Sequence, residues 1–335
     1  MIALALVAAA ALTLVMRSGG HSPVASIPPP ARVTLVYARP VGKGLVPRRE
    51  VVFAASPAGR DATRLAVGTN PLLSPDGRWV AYDGGGLSST YKLRLVSPLG
   101  GASKAVAALG EPIVWSPDSR SVVVQGNAGA DVVEVRGLRV RHLRLPEASG
   151  GFSFSPDGSV LAYQHSTGSG SDIFTIDLRS DQIDQLTHDG RSGSPLWGPD
   201  GIAFERYGPD RCANCHGDIW LMSRTGSDSH QLTHTHAGIY PAAWSADGTR
   251  MLAAYPATHN GRLYAVDVAS GAARALTPFV GDLFPQGLSR DGRTVLAAIG
   301  CGGTISPYGL VETISFTGGH RTVIVRGPCR ASSNF

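Results

Sequence analysis

One short turn, written six times, constrains this chain more than any other feature. The copies are Ser74-Pro75-Asp76-Gly77, Ser116-Pro117-Asp118-Ser119, Ser155-Pro156-Asp157-Gly158, Gly198-Pro199-Asp200-Gly201, Ser245-Ala246-Asp247-Gly248 and Ser289-Arg290-Asp291-Gly292. Their aspartates are 42, 39, 43, 47 and 44 residues apart, a mean of 43. A period of this length, with several short strands in each unit, is the mark of a β-propeller blade. The expected fold is therefore all-β. Propellers host many functions, so the repeat constrains the fold far more than the activity.

Residues 152–190 show what one unit contains. Phe152-Ser153-Phe154 alternates apolar and small residues into the turn. Proline presets φ at the first corner, aspartate suits the second, and glycine accepts positive φ. Val160-Leu161-Ala162-Tyr163 follows as a strand, then a Gly/Ser-rich loop from Ser166 to Ser171, then Ile173 to Leu178 as a third strand. Gln185-Leu186-Thr187 belongs to the fourth. Each unit is thus read as four antiparallel strands, A to D, whose apolar and β-branched residues suit buried strands.

The same spacing counts the blades. One period before Asp76 lies Val33-Thr34-Leu35-Val36-Tyr37, which reads as a B strand, with Val51–Ala55 and Thr63–Val67 as its C and D strands. One period after Asp291 lies the C-terminal tail, Ala331 to Phe335. Seven blades are expected, the tail supplying strand A to a blade begun by the N-terminal strands, so that no sheet edge stays open. Six blades, with the N-terminal strands packed outside or added to the last blade, is the alternative.

The chain has 42 Gly and 23 Pro in 335 residues and only 16% charged residues, which suits a turn-dense all-β domain over residues 32–335. A propeller divides its core blade by blade, so one domain of this length is reasonable. The net charge is +5, almost all of it from arginine. Arg136 to Arg144 holds four arginines, but they alternate with apolar residues as on a solvated strand face. Clustered Lys/Arg with stacking aromatics is missing, so no nucleic-acid partner is expected.

Ile2 to Met16 is an unbroken apolar run, short for a membrane span and suited to a signal peptide. Residues 1–20 are read as a signal peptide or N-terminal anchor, and the proline-rich residues 21–31 as a stiff tether. Either version places the propeller outside the cytoplasm, in the periplasm, secreted, or membrane-anchored facing outward.

Four cysteines in an exported chain favour disulfides. Cys301 follows a B strand and Cys329 the D strand of the same unit; these strands end on one face, so the pair can bridge. Cys212-Ala213-Asn214-Cys215-His216 matches the haem-attachment pattern of c-type cytochromes. It sits in a B–C loop, however, with a strand resuming almost at once. A local Cys212–Cys215 disulfide is the main reading, and attachment of haem or a metal through Cys212, Cys215 and His216 the alternative. No cofactor is otherwise expected.

His188 follows Gln185-Leu186-Thr187, while His234 and His236 follow Gln231-Leu232-Thr233. D–A and B–C connections share one propeller face, so His188, His216, His234 and His236 are candidates for one binding patch. Their alternating spacing is not a strong metal signature. Trp115, Trp197 and Trp244, just before the turns, are expected in the blade cores. The aspartates Asp76, Asp118, Asp157, Asp200, Asp247 and Asp291 are expected to brace their turns, and Asp172 and Asp218, at matching positions, to be structural too. No nucleophile elbow or paired catalytic carboxylates stand out.

The order Asp172-Ile173-Phe174-Thr175-Ile176-Asp177-Leu178, then Gln185-Leu186-Thr187, then Pro195-Leu196-Trp197-Gly198-Pro199-Asp200-Gly201 resembles the repeat of TolB-like propellers. The match recurs from Gln231 to Gly248 and more weakly from Leu276 to Gly292, and it covers nearly the whole mature chain. The resemblance implies a periplasmic or extracytoplasmic propeller that binds other envelope proteins, without the small α/β domain that precedes the propeller in that family. Similar repeats form the propeller of prolyl-oligopeptidase-type peptidases. The functional expectation is an exported, monomeric, non-enzymatic propeller binding an envelope protein or polymer through its loop face. A haem- or metal-binding redox propeller and a channel-mouth lyase or hydrolase are the alternatives.

Overall fold

A computed structural model describes residues 35–41, 49–56, 58–84, 92–108, 110–126, 129–167, 170–208, 217–255, 261–281, 283–289, 291–299, 309–327 and 330–333. No helix occurs among them. Blade 1 begins with β1 (Leu35–Val41), β2 (Arg49–Ala55) and β3 (Thr63–Val67). Blade 2 is β4 (Thr69–Leu73), β5 (Val80–Asp83), β6 (Leu93–Val96) and β7 (Lys104–Ala105). Blade 3 is β8 (Glu111–Trp115), β9 (Ser121–Gly126), β10 (Gly129–Glu134) and β11 (Arg139–His142). Blade 4 is β12 (Ser149–Phe154), β13 (Val160–Thr167), β14 (Gly170–Asp177) and β15 (Ile183–Gln185). Blade 5 is β16 (Ser192–Trp197), β17 (Ile202–Arg206), β18 (Asp218–Met222) and β19 (His230–Gln231). Blade 6 is β20 (Tyr240–Trp244), β21 (Arg250–Tyr255), β22 (Arg262–Asp267) and β23 (Ala273–Ala275). Blade 7 is β24 (Leu283–Leu288), β25 (Thr294–Ile299), β26 (Leu310–Ser315) and β27 (Arg321–Arg326).

The last strand, β28 (Arg330–Ser333), returns to lie beside β1, giving blade 1 the order β28-β1-β2-β3. The pairing is antiparallel, with Leu35 opposite Ser333 and Ala38 opposite Arg330. The seven innermost strands β28, β4, β8, β12, β16, β20 and β24 touch in turn around the ring. Seven blades closed by the C-terminal strand is therefore the architecture, and the six-bladed alternative falls.

The hydrophobic core has no single centre. Among the described residues it forms seven clusters, and each lies between two neighbouring blades. Val36, Val52 and Ala54 of blade 1 meet Leu73, Val80, Tyr82 and Val96 of blade 2. Leu35, Tyr37 and Ala55 meet Leu296, Ala298 and Val311 of blade 7. Both sets come from the same strands because successive strand residues face opposite sides of a sheet. Every blade is thus apolar on both faces, which explains why its central strands read as near-continuous apolar runs. Trp115 and Trp197 are buried in such clusters, while Trp244 is only partly buried against one.

The repeated turn is built from its side chains. In five copies the serine hydroxyl donates to the aspartate Oδ1 at 2.6–2.7 Å. The same Oδ1 accepts the N–H two residues on, at 3.0–3.1 Å. These donors hold the Asp157 and Asp247 carboxyls down to about 2, the serine hydroxyl being the largest cause in each. The copy at Gly198 differs, with no serine, because a Cβ at Gly198 would stand 2.7 Å from the Trp244 ring of the next blade. A Cβ at Gly201 would stand 2.3 Å from the Met222 carbonyl oxygen.

One local expectation is corrected. Ser166 to Ser171 is not a loop: Ser166 pairs with Ser171 and Thr167 with Gly170, so β13 and β14 run on almost to the hairpin tip. The ladder needs only backbone groups, so small polar residues do not interrupt it. Leu186 and Thr187 fall just beyond β15, although the Leu186 N–H still bonds the Ile173 carbonyl at 2.8 Å.

Deleting residues 330–335 should open the ring. The four paired positions of β28 carry ladder bonds of about 1 kcal/mol each, so a loss of roughly 4 kcal/mol is expected, together with exposure of the β1 edge. Chemical denaturation and light scattering would read the two effects; a truncated chain as stable and monodisperse as the full one would contradict this closure.

Candidate functional site

The B–C and D–A connections emerge at one end of the blades, where strand B ends and strand A begins. One register position near that end differs around the ring. It faces the next blade from strand B and holds Asp83, Gln125, Gln164 and Glu205 in blades 2 to 5. In blades 6 and 7 it holds Ala254 and Ala298, both part of the apolar clusters. Asp83 accepts the Lys92 N–H of its own blade at 2.8 Å, while Gln125 and Gln164 reach the A strand of the following blade. Gln125 donates through Nε2 to the Ser149 carbonyl at 2.9 Å, and Gln164 Oε1 accepts the Ser194 N–H at 3.0 Å. Ser194 has φ 51°, in the bulge between Gly193 and Leu196.

Glu205 is deeply buried, at 5% exposure. Tyr207 hydrogen-bonds its carboxyl. Burial pushes that carboxyl up to about 7, the tyrosine bond opposing only part of the effect. Tyr207 and Tyr240 are both raised to about 12, first by burial and then by the nearby Glu205. Two glycines make the room. A Cβ at Gly217 would lie 2.8 Å from Glu205 Cγ and 2.9 Å from its Oε1. A Cβ at Gly193 would lie 2.5 Å from Gln164 Oε1 and 3.3 Å from the Tyr207 hydroxyl. Gln164, Glu205, Tyr207 and Tyr240 therefore form one polar cluster across blades 4, 5 and 6.

Beside it, Arg206 lies over the Trp220 ring at 4.2 Å from its centroid, and its Nε is 2.6 Å from Asp189 Oδ2. Asp189 also accepts the Arg191 N–H at 2.8 Å and the Ser192 hydroxyl at 2.9 Å. The D–A connections are clasped by Asp172 and Asp218. Asp172 accepts Thr187 Oγ1 at 2.9 Å and the Gly190 N–H at 3.0 Å. Asp218 accepts Thr233 Oγ1 at 2.9 Å and the Thr235 N–H at 2.8 Å. In return Thr187 and Thr233 accept the Ile173 and Ile219 N–H groups. The Gln-Leu-Thr repeat is thus a backbone clasp.

His188, His234 and His236 are exposed on the two D–A connections that flank blade 5. Among the described residues only His236 of these three approaches a carboxylate, its Nδ1 standing 3.6 Å from Asp218 Oδ2. Among the described residues no three His, Cys, Asp or Glu side chains are placed to hold a metal ion. Cys212, Cys215, His216, Cys301 and Cys329 lie outside the described residues. Glu205, Tyr207, Tyr240, Asp189 and Arg206 were not anticipated from sequence. The available signal was the repeat register, which aligns Glu205 with Gln164 and Ala254.

Glu205 makes stability depend on pH. Its carboxyl is raised in the fold from 4.5 to about 7. The unfolded chain therefore ionises first, and stability falls as pH rises from the unfolded value to the folded one. It is then level above that point. Glu205→Gln keeps an acceptor for Tyr207 and removes the loss, so at pH 8 the variant should be more stable by on the order of 3 kcal/mol, with little difference near pH 4. Thermal melts across that range check the sign; a variant weaker than the parent at pH 8 would contradict it.

No protein-family profile matches the chain. The sequence is 27% identical over 139 residues to the uncharacterized peptidase YuxL of Bacillus subtilis, covering 40% of this chain and 20% of that protein. The match thus spans about a fifth of the length of that curated relative. Among solved structures the chain is similar to TolB from Acinetobacter baumannii, with 20% identity, a TM-score of 0.56, and 78% of this chain and 63% of that one covered. An oligogalacturonate lyase from Vibrio parahaemolyticus superposes with a TM-score of 0.58 at 13% identity over 88% and 86% of the two chains. Prolyl oligopeptidase B from Galerina marginata superposes with 0.61 at 10% identity over 90% and 51%. At these identities the shared property is the fold: the chain is a β-propeller of seven four-stranded blades, similar in fold to TolB.

Proposed function

We propose that this chain is an extracytoplasmic, non-enzymatic propeller that binds a protein or another cell-envelope component through its B–C and D–A face. One observation carries the reading. Blades 6 and 7 show that alanine suffices to close a blade interface at the position held by Asp83, Gln125, Gln164 and Glu205. The polar arc of blades 2 to 5 is therefore more than packing requires, and it lies at the face where His188, His234 and His236 are exposed. The likeness to TolB and the apolar run Ile2 to Met16 support the location. A photo-crosslinking residue at His188 or His234 should capture an envelope component. One at Ser180 or Ser270, on the turns of the opposite face, should not. Equal capture from both faces would rule this reading out.

A channel-mouth lyase or hydrolase is the second reading, favoured by the likeness to a peptidase, a lyase and a prolyl oligopeptidase. It expects turnover of polysaccharide or peptide that drops in Glu205→Gln. Within the leading reading the four cysteines pair as Cys212–Cys215 and Cys301–Cys329. The intact exported protein should then be lighter than its reduced form by the hydrogens of two disulfides, without a visible absorption band. An added haem mass with a Soret band would instead make Cys212, Cys215 and His216 a haem attachment.

A further inference from the structure

Resting on this protein-binding reading, we propose that Arg262 and Phe279, at the junction of blades 6 and 7, form a docking platform for an acidic peptide segment of a partner protein. The first observation is a charge reversal inside the repeat. The residue that opens β22 is Arg262, opposite Tyr255. At the equivalent register blades 4 and 5 carry Asp172, opposite His165, and Asp218, opposite Arg206. There the aspartate holds the D–A clasp. In blade 6 the clasp survives without it: the Leu263 N–H still bonds Thr277 Oγ1 at 3.1 Å, and Arg262 Nε donates to the Thr277 carbonyl at 2.9 Å. Closing the connection therefore uses only the Nε of this cation and leaves its two terminal nitrogens out of the clasp.

The second observation is where the cation stands. Its guanidinium lies 4.5 Å from the centroid of Phe279 and 5.8 Å from that of Tyr264. Phe279 is 47% exposed and meets Tyr255 edge-on, with centroids 5.9 Å apart. No carboxylate among the described residues pairs with Arg262, unlike Arg206 with Asp189. Stacking holds the fork in place, and one nitrogen is committed to a carbonyl, so the two terminal nitrogens remain in a geometry that suits a carboxylate. A few residues on, Phe284 at the start of the next blade is 38% exposed.

These properties select the occupant. A pre-oriented cation with no carboxylate partner among the described residues asks for a carboxylate, and exposed phenyl rings ask for an apolar side chain beside it. A peptide with Glu or Asp next to Phe or Leu supplies both. A neutral glycan would need acceptors and donors matched to its hydroxyls, whereas the exposed side chains at Pro278, Phe279 and Phe284 offer none.

The test uses the full chain and a labelled heptapeptide, Gly-Ser-Glu-Phe-Glu-Gly-Ser, followed by fluorescence anisotropy. Saturable binding is expected, weakening with added salt. It should be at least tenfold weaker in Arg262→Gln and in Phe279→Ala, and partly kept in Arg262→Lys. The peptide with lysines in place of glutamates should not bind. Melting curves of the variants show that they fold. No saturation up to about 1 mM, equal binding of the lysine peptide, or unchanged affinity in Arg262→Gln would each overturn the platform. So would displacement of the peptide by a uronate oligomer that binds tighter and depends on Arg262. If crosslinks from His188 and His234 persist while the peptide fails, only this platform falls; if those crosslinks fail as well, the binding reading falls with it.

Discussion

Contact between neighbouring blades is the interaction on which everything else in this molecule depends. No blade has a core of its own. Each sheet is apolar on both faces, and each face is satisfied only by the sheet beside it. A row of such sheets would leave two apolar faces in water, and burying a large side chain contributes about 1.5–3 kcal/mol, so an open row would forfeit a whole interface. Closing the ring removes both faces at once. That closure passes through β28 and β1, which join the two ends of the chain in one sheet.

Within this frame, departures from the repeat are more informative than the repeat itself. The serine–aspartate turn recurs because the same hydrogen bonds close the same hairpin. It is abandoned at Gly198, where the ring of Trp244 occupies the space that a side chain would need. The position facing the next blade from strand B is polar in blades 2 to 5 and alanine in blades 6 and 7. The strand C position opposite His165, Arg206 and Tyr255 of strand B is an aspartate clasp in blades 4 and 5 and Arg262 in blade 6. A repeat fold supplies its own control, since any role required by the architecture should appear in every blade.

Much of the architecture was legible before any coordinates. The turn spacing placed the blades, and the D strand Thr63–Val67 and the closing role of the tail were readable from period alone. The Gly/Ser stretch at Ser166 misled because composition reports exposure, whereas the ladder there needs only backbone groups. The candidate site was less legible. The histidines stood out as residue types, and they lie exposed on the D–A connections. Glu205 did not stand out, since one glutamate in a strand looks like any solvated charge.

What the sequence determined by itself was local and periodic: hairpins at a step of about 43 residues and the number of blades that the chain can supply. Its turns depend on contacts within a few residues, so the order of amino acids is enough to specify them. Tertiary structure decided the rest. The burial of Glu205 depends on Tyr240 from the next blade and on the space left by Gly193 and Gly217. The rings beneath Arg262 include Phe279, which reaches it from the connection to the following blade. The physical reason is the same for both: ionisation and binding respond to the dielectric and the charges within a few ångströms, and in a propeller those neighbours come from strands a whole repeat apart.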